Sequence, residues 1–255
     1  MISLVFGLFG LIVGSFLNVV ILRFGERPIS GRSACPHCKK QLAWFDMVPV
    51  LSWLVLSGRC RSCKATISIQ YPMVEAATGI LFAMIGAADL PLLATAVALC
   101  ILAVLVCVFV YDLKHTIIPD LWVWTFCALS ISLSLILSTS ETSLWLTLLA
   151  GPAASLPLFA LWGVSKGTWM GFGDVKLALG MGWLLGYPLG IIAVFLAFII
   201  GAVISVPLLL WGKLLPEGSL GLTMKSEVPF GPFLIASCLL IWFALLYNVP
   251  IPFLI

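Results

Sequence analysis

The chain has 255 residues, of which 62% are apolar and only 9% charged, with a formal net charge of +3. Its mean hydropathy is +1.22. An ordinary soluble domain is about 25% charged, so this composition excludes a water-soluble globule, a disordered chain and a nucleic-acid binder. What remains is an all-α polytopic membrane protein.

Eight segments are apolar enough to be taken as transmembrane helices: about 2–22, 73–89, 92–111, 118–137, 143–164, 175–187, 189–211 and 232–249. A helix needs about 20 such residues to cross the hydrocarbon core. Unbroken apolar runs mean helices, because strands of a barrel would alternate. The sixth segment is short and interrupted by Gly180, Gly182 and Gly186. Pro152, Pro157 and Pro207 fall inside segments and are expected to bend them. The first segment lacks preceding basic residues and is too long for the apolar part of a cleavable signal peptide.

Lysine and arginine set the orientation. Eight of the thirteen (Arg23, Arg27, Arg32, Lys39, Lys40, Arg59, Arg61 and Lys64) lie in the loop 23–72, and the others are Lys114, Lys166, Lys176, Lys213 and Lys225. With eight alternating crossings all thirteen fall on one side, leaving only Asp89 and Glu141 opposite. That puts the basic side in the cytoplasm and both termini outside. It also supports the sixth crossing, since Lys176 and Lys213 share a side only if two crossings separate them. The expected organisation is a first transmembrane helix at 1–22, a small cytoplasmic domain at 23–72, and a seven-helix membrane domain at 73–255.

The loop contains Cys35-Pro36-His37-Cys38 and Cys60-Arg61-Ser62-Cys63. Two Cys-x-x-Cys knuckles complete a tetrahedral thiolate shell, so Cys35, Cys38, Cys60 and Cys63 are predicted to bind zinc. Four sulfur ligands leave no open position, which makes the metal structural. A loop of this size has little core of its own, and a metal staple compensates. A disulfide pair or a thiol redox site are the alternatives, but the cytoplasm is reducing and no thioredoxin-like pattern surrounds either knuckle. Cys100, Cys107, Cys127 and Cys238 lie within spans, where free cysteine packs as a small apolar residue.

Ionisable residues at or inside spans are costly and raise functional hypotheses. Asp112 closes the third span and Asp174 opens the sixth, both at the cytoplasmic edge. Two carboxylates side by side in a low-dielectric cleft cannot both ionise easily, so the pair holds a proton. The ionised partner can then activate water while the protonated one polarises a carbonyl, which is peptide hydrolysis of the aspartic-protease type. Gly171 and Gly173 leave room for an extended peptide beside Asp174. Pro229-Phe230-Gly231-Pro232 precedes the last span on the same face. The alternative for each Asp is a helix cap or an ion pair with Lys114 or Lys176; Asp120, after Pro119, is taken as a local cap or supporting group, and His115 as a solvated surface residue.

These residues resemble, in order and over nearly the whole chain, the bacterial type IV prepilin peptidases, which are bifunctional leader peptidases and N-methyltransferases. The resemblance is carried by Gly14-Ser15-Phe16-Leu17-Asn18, by Ser33 to Cys38, by Trp44-Phe45-Asp46 with Val48-Pro49, by Gly58 to Cys63, and by Tyr71-Pro72 with Glu75. It continues in Asp112 with Ile118-Pro119-Asp120, in Gly171-Phe172-Gly173-Asp174-Val175-Lys176, and in Pro229-Phe230-Gly231-Pro232. It implies removal of the basic leader of prepilins or pseudopilins after a glycine, on the cytoplasmic side of the bacterial inner membrane. It further implies methylation of the new N-terminus with S-adenosylmethionine. Carried over, Asp112 and Asp174 are the catalytic pair, the four cysteines the zinc ligands, and Asp46, Gly58, Glu75 and Lys176 the candidates for holding the methyl donor. Asp46 stands where many relatives carry glutamate. Archaeal relatives lack the cysteine loop, so its presence points to the bacterial form.

Three rival classes share parts of this pattern. A proton-coupled transporter would place its aspartates near the midplane of repeated, broken helices. A zinc-knuckle scaffold would tolerate loss of either Asp, and so would a methyltransferase without peptidase activity. None accounts jointly for the paired aspartates, the knuckles and the glycine boxes.

Overall fold

The computed structural model of the protein describes residues 1–25, 28, 30–138, 144–214 and 229–250, without the side chains of 208–214. Glu26, Arg27, Glu141 and Lys225, which enter the charge argument, lie outside the described residues, as does the Lys213 side chain. The chain forms two compact units, Met1–Cys107 and Val108–Ile255.

The first unit is built on α1 (Ile2–Arg23) and α3 (Gln70–Ala87), with a 3-10 turn Trp44–Met47 and the short α2 (Leu51–Val55) between them. Gly7, Gly10 and Gly14 recur on one face of α1, the spacing that lets two helix backbones approach closely in a membrane. A Cβ added at Gly10 would lie 2.7 Å from Thr78 O, and one at Gly14 would lie 2.8 Å from the Glu75 Cα. Polar groups seal the end of this contact. Asn18 donates to the Tyr71 carbonyl at 3.2 Å and accepts from Gln70 at 3.3 Å. The unit also takes in the larger part of α4 (Leu92–His115).

The second unit contains the last turns of α4, then α5 (Asp120–Leu137), α6 (Leu144–Ser165), α7 (Phe172–Leu185), α8 (Leu189–Leu214) and α9 (Gly231–Leu246). Helix α7 is its hub and packs against α5, α6, α8 and α9. The glycines that make it look interrupted are contact points. Gly180 packs on Phe126 and Cys127, and Gly182 on Ala154 and Gly151. Helices α6 and α8 continue through Pro152, Pro157 and Pro207.

Each of the eight apolar segments is therefore helical. Among the described residues five helices, α1, α4, α5, α6 and α8 (as Leu189–Pro207), are long and apolar enough to cross a membrane by length and composition. The other three differ for physical reasons. Helix α3 carries Gln70 and Glu75 in its first two turns, and α7 and α9 have 14 and 16 residues, short of the usual spanning length.

Candidate active site and metal centre

The two knuckles are built alike. The Cys35 N–H donates to the Lys40 carbonyl at 3.0 Å, and Cys60 N–H to Ala65 at 2.8 Å. Lys39 and Lys64 donate back to Cys35 and Cys60, each at 3.0 Å, and each turns with positive φ, 59° and 60°. An isolated antiparallel bridge closes each turn, Ala34 with Gln41 and Arg59 with Thr66. The same motif thus recurs 25 positions on.

The turns bring all four Sγ atoms within 4.8 Å of one another, and Cys35 Sγ is 3.8 Å from Cys63 Sγ. A zinc ion with Zn–S near 2.3 Å holds its sulfurs about 3.8 Å apart, so the donor set fits tetrahedral zinc in chemistry and spacing. Backbone N–H groups of Cys63 and Ser62 aim at Cys60 and lower its pKa to about 6. Those of Cys38 and His37 lower that of Cys35. Thiolate is the ligating form, so at Cys35 and Cys60 the knuckle backbone favours the state a metal needs. At Cys63 the Ala65 N–H is outweighed by desolvation and the neighbouring sulfurs, which push its pKa up to about 11. Cys100, Cys107, Cys127 and Cys238 are free thiols, and all but Cys100 are buried.

Asp112 sits in the last turn of α4 and Asp174 in the first turn of α7, and both belong to the second unit. They are 4% and 7% exposed, and Asp174 lies within electrostatic reach of Asp112. Neither forms an ion pair among the described residues, so pairing with Lys114 or Lys176 does not account for them. Backbone N–H groups hold both instead. Asp174 accepts from the Gly171 N–H, the reach of a third helical residue back to its N-cap. Asp112 accepts from the Gly231 N–H, at the start of α9.

Gly231 is the residue whose role sequence reasoning missed. A Cβ there would lie 2.5 Å from Asp112 Oδ2 and 3.2 Å from Ile118 Cδ1. The signal was present in Pro229-Phe230-Gly231-Pro232, where a glycine directly precedes a proline that can open a helix. Ile118 is the wedge of the site. It fills the space beside Gly173, where a Cβ would meet Ile118 Cβ at 3.0 Å. Gly171 is the open position, since a Cβ there would find only the Gly173 N, 3.9 Å away. The room expected at both glycines exists at Gly171 alone.

Asp120 is not a cap. It is the first residue of α5 and its carboxylate pairs with Lys176 Nζ at 2.5 Å. Lys176 also lies over the Phe172 and Trp124 rings. His115 is exposed and rests on Tyr111, ring centroids 4.4 Å apart. The other residues expected at a methyl-donor site are in the first unit. Asp46 pairs with Arg61 at 2.8 Å, while Gly58, at φ 67°, backs onto the Trp53 ring. Glu75 accepts from the Val50 N–H at 2.7 Å. Each has a protein partner, and nothing in these contacts singles out a cradle for an adenosyl group.

Comparison with known proteins gives two family matches. Residues 8–88 match the bacterial peptidase A24 N-terminal domain, and residues 98–206 match the type IV leader peptidase family. The prepilin leader peptidase/N-methyltransferase of Aeromonas hydrophila is 33% identical over 96% of this chain and 90% of its own length. The Bacillus subtilis (strain 168) protein of the same name is 31% identical over 94% and 93%. A type 4 prepilin-like proteins leader peptide-processing enzyme of Escherichia coli O78:H11 is 41% identical over 46% of this chain and 52% of its own length. No solved structure matches.

Proposed function

This chain belongs to the type IV leader peptidase family and is a protease, and from that premise we propose that it removes the basic leader of prepilins or pseudopilins by aspartic catalysis. The observation that carries the proposal is the buried pairing of Asp112 and Asp174 at two helix ends, each held by a glycine N–H. One carboxylate takes a proton from water as the water oxygen bonds to the scissile carbonyl carbon, and the other gives its proton to the carbonyl oxygen. The C–N bond then breaks, the leaving amine takes a proton, and the products are a carboxylate leader and a free N-terminus. The open side of Gly171 gives an extended substrate backbone access beside Asp174.

The eight helices are proposed as eight crossings, with the cysteine loop and aspartates on the cytoplasmic side of the inner membrane and both termini outside. The lysine and arginine asymmetry supports this orientation. It lets the enzyme meet a substrate whose leader is basic and whose following helix is apolar. Zinc on Cys35, Cys38, Cys60 and Cys63 would hold the two knuckles together as a structural ion. The second activity proposed is methylation of the freed N-terminus, for which S-adenosylmethionine supplies the methyl group.

Purified protein in detergent, given a prepilin and labelled S-adenosylmethionine, tests both activities by the mass of the prepilin N-terminus. Cleavage after glycine and the added mass of one methyl group are expected from the wild type. An intact leader across a panel of prepilins that a relative cuts would overturn the peptidase proposal.

A further inference from the structure

The loop between α1 and α3 contains a surface that neither the metal nor the aspartates use. Residues 47–58, Met47 to Gly58, carry no charged side chain. Within and just before this stretch, Trp44 is 77% exposed, Leu51 61%, Leu54 58% and Val55 78%, and Phe45 and Met47 are exposed as well. Helix α2 spends its inward face on the second knuckle. Trp53 donates to the Ile67 carbonyl at 3.2 Å, and its ring fills the space beside Gly58. That leaves Leu51, Leu54 and Val55 pointing away from the protein. The stretch is too short to span a bilayer and too apolar for bulk water.

Its depth is fixed by one contact. Val50, the residue before α2, turns at φ 61° and ψ −51° with Leu51 N–H on Pro49 O at 2.6 Å. This is the rare positive-φ γ-turn, costly for a β-branched residue. The Val50 N–H is held by Glu75 Oε2 at 2.7 Å, and Ser15 also bonds this carboxyl. Glu75 lies at the level of Gly14 on α1, nine residues before the helix ends at Arg23. At about 1.5 Å per residue that is about 14 Å along the helix axis. A segment tied there stands below the end of a spanning helix and cannot stand clear of the bilayer that the helix crosses. Its flanks are basic and exposed (Lys39 and Lys40 before it, Arg59 after it), as suits anionic headgroups. An aromatic residue such as Trp44 is at home at that boundary.

We propose that residues 44–55 are an interfacial element, in which the Trp44–Met47 turn and α2 lie in the headgroup–acyl boundary of a phospholipid bilayer beside α1 and α3. The Val50–Glu75 hydrogen bond sets their depth and so moors the metal-binding knuckles to the membrane surface. This rests on α1 and α3 crossing the bilayer and is independent of the peptidase assignment.

The test is site-directed photocrosslinking of the full zinc-loaded chain in phosphatidylethanolamine–phosphatidylglycerol vesicles, with a prepilin present. Benzoylphenylalanine replaces Leu54 in one variant and Val55 in a second. Leu8 on the exposed face of α1 and Lys64 on the knuckle serve as lipid and water controls. The expected result is a phospholipid adduct at Leu54 and Val55 in a yield of the same order as at Leu8, with none at Lys64. A prepilin adduct at either position would overturn the proposal in favour of a substrate surface. A crosslink to a second copy would overturn it in favour of a dimer interface. No adduct at either position while Leu8 labels would overturn it outright. No lipid adduct at Leu8 would remove the crossing of α1, and the proposal with it.

Discussion

The two chemical centres of this molecule are assembled in opposite ways. The four-cysteine cluster is local: each half is a closed turn whose ligands lie three residues apart, and the second copies the first 25 positions on. The aspartate site is long-range, drawing Asp112, Ile118, Asp174 and Gly231 from the ends of α4, α7 and α9 and from the connection after α4. A local site can be completed by a metal ion, whose binding energy is itself folding energy. A long-range site in a membrane depends on helix packing, and here close approach is bought with glycine, at Gly173 and Gly231.

That contrast can be broken, most severely at the metal. Cys60→Ser removes one of four ligands, and structural zinc is worth about 10–16 kcal/mol in isolated zinc-finger peptides at pH 7. Bound zinc, measured by atomic emission on purified protein, should fall to background. Amide hydrogen exchange should rise across residues 33–67 while α5 to α9 stay protected. Loss of protection throughout α5 to α9 would mean the two regions are not separate in stability.

Gly231→Ala sharpens the comparison from the other side. Its Cβ would meet Asp112 Oδ2 at 2.5 Å, so the carboxylate must move. A displacement of that kind costs on the order of 10²-fold in rate. Prepilin cleavage should fall accordingly, with zinc content and membrane insertion unchanged. The smallest effect is expected at Lys176→Met, which cuts the pair to Asp120. Asp120 is largely exposed, and pairs open to solvent are worth at most about 1 kcal/mol. Thermal stability in detergent should shift slightly, and a complete loss of cleavage would give Lys176 a chemical role.

The same contrast explains what could be read from the sequence. Cys-x-x-Cys pairs fix their own geometry, so the four-cysteine cluster was legible residue by residue. The apolar runs gave the eight helices, since every span must bond its own backbone. Asp112 and Asp174 were legible as costly charges at helix ends. What holds them was not, because no spacing says that the Gly231 N–H, more than a hundred residues after Asp112, reaches its carboxylate. Asp120 was legible as a local cap or a supporting group, but not as which of the two, for a related reason. A Pro-Asp pair before a helix looks like a cap, and only the packing of α5 against α7 brings Lys176 to it. The exposed apolar face of α2 is masked in the sequence by the basic residues and cysteines on either side of it.

The central claim is that Asp112 and Asp174 act as one catalytic unit, and the most direct measurement compares Asp112→Asn, Asp174→Asn and the double variant. Each would be purified with zinc bound and incubated with a prepilin, and the new N-terminus quantified by mass spectrometry. Residues that act as a unit lose activity non-additively. Either single variant should therefore abolish cleavage, and the double variant should be no worse. Near-normal trimming by either single variant would contradict the claim.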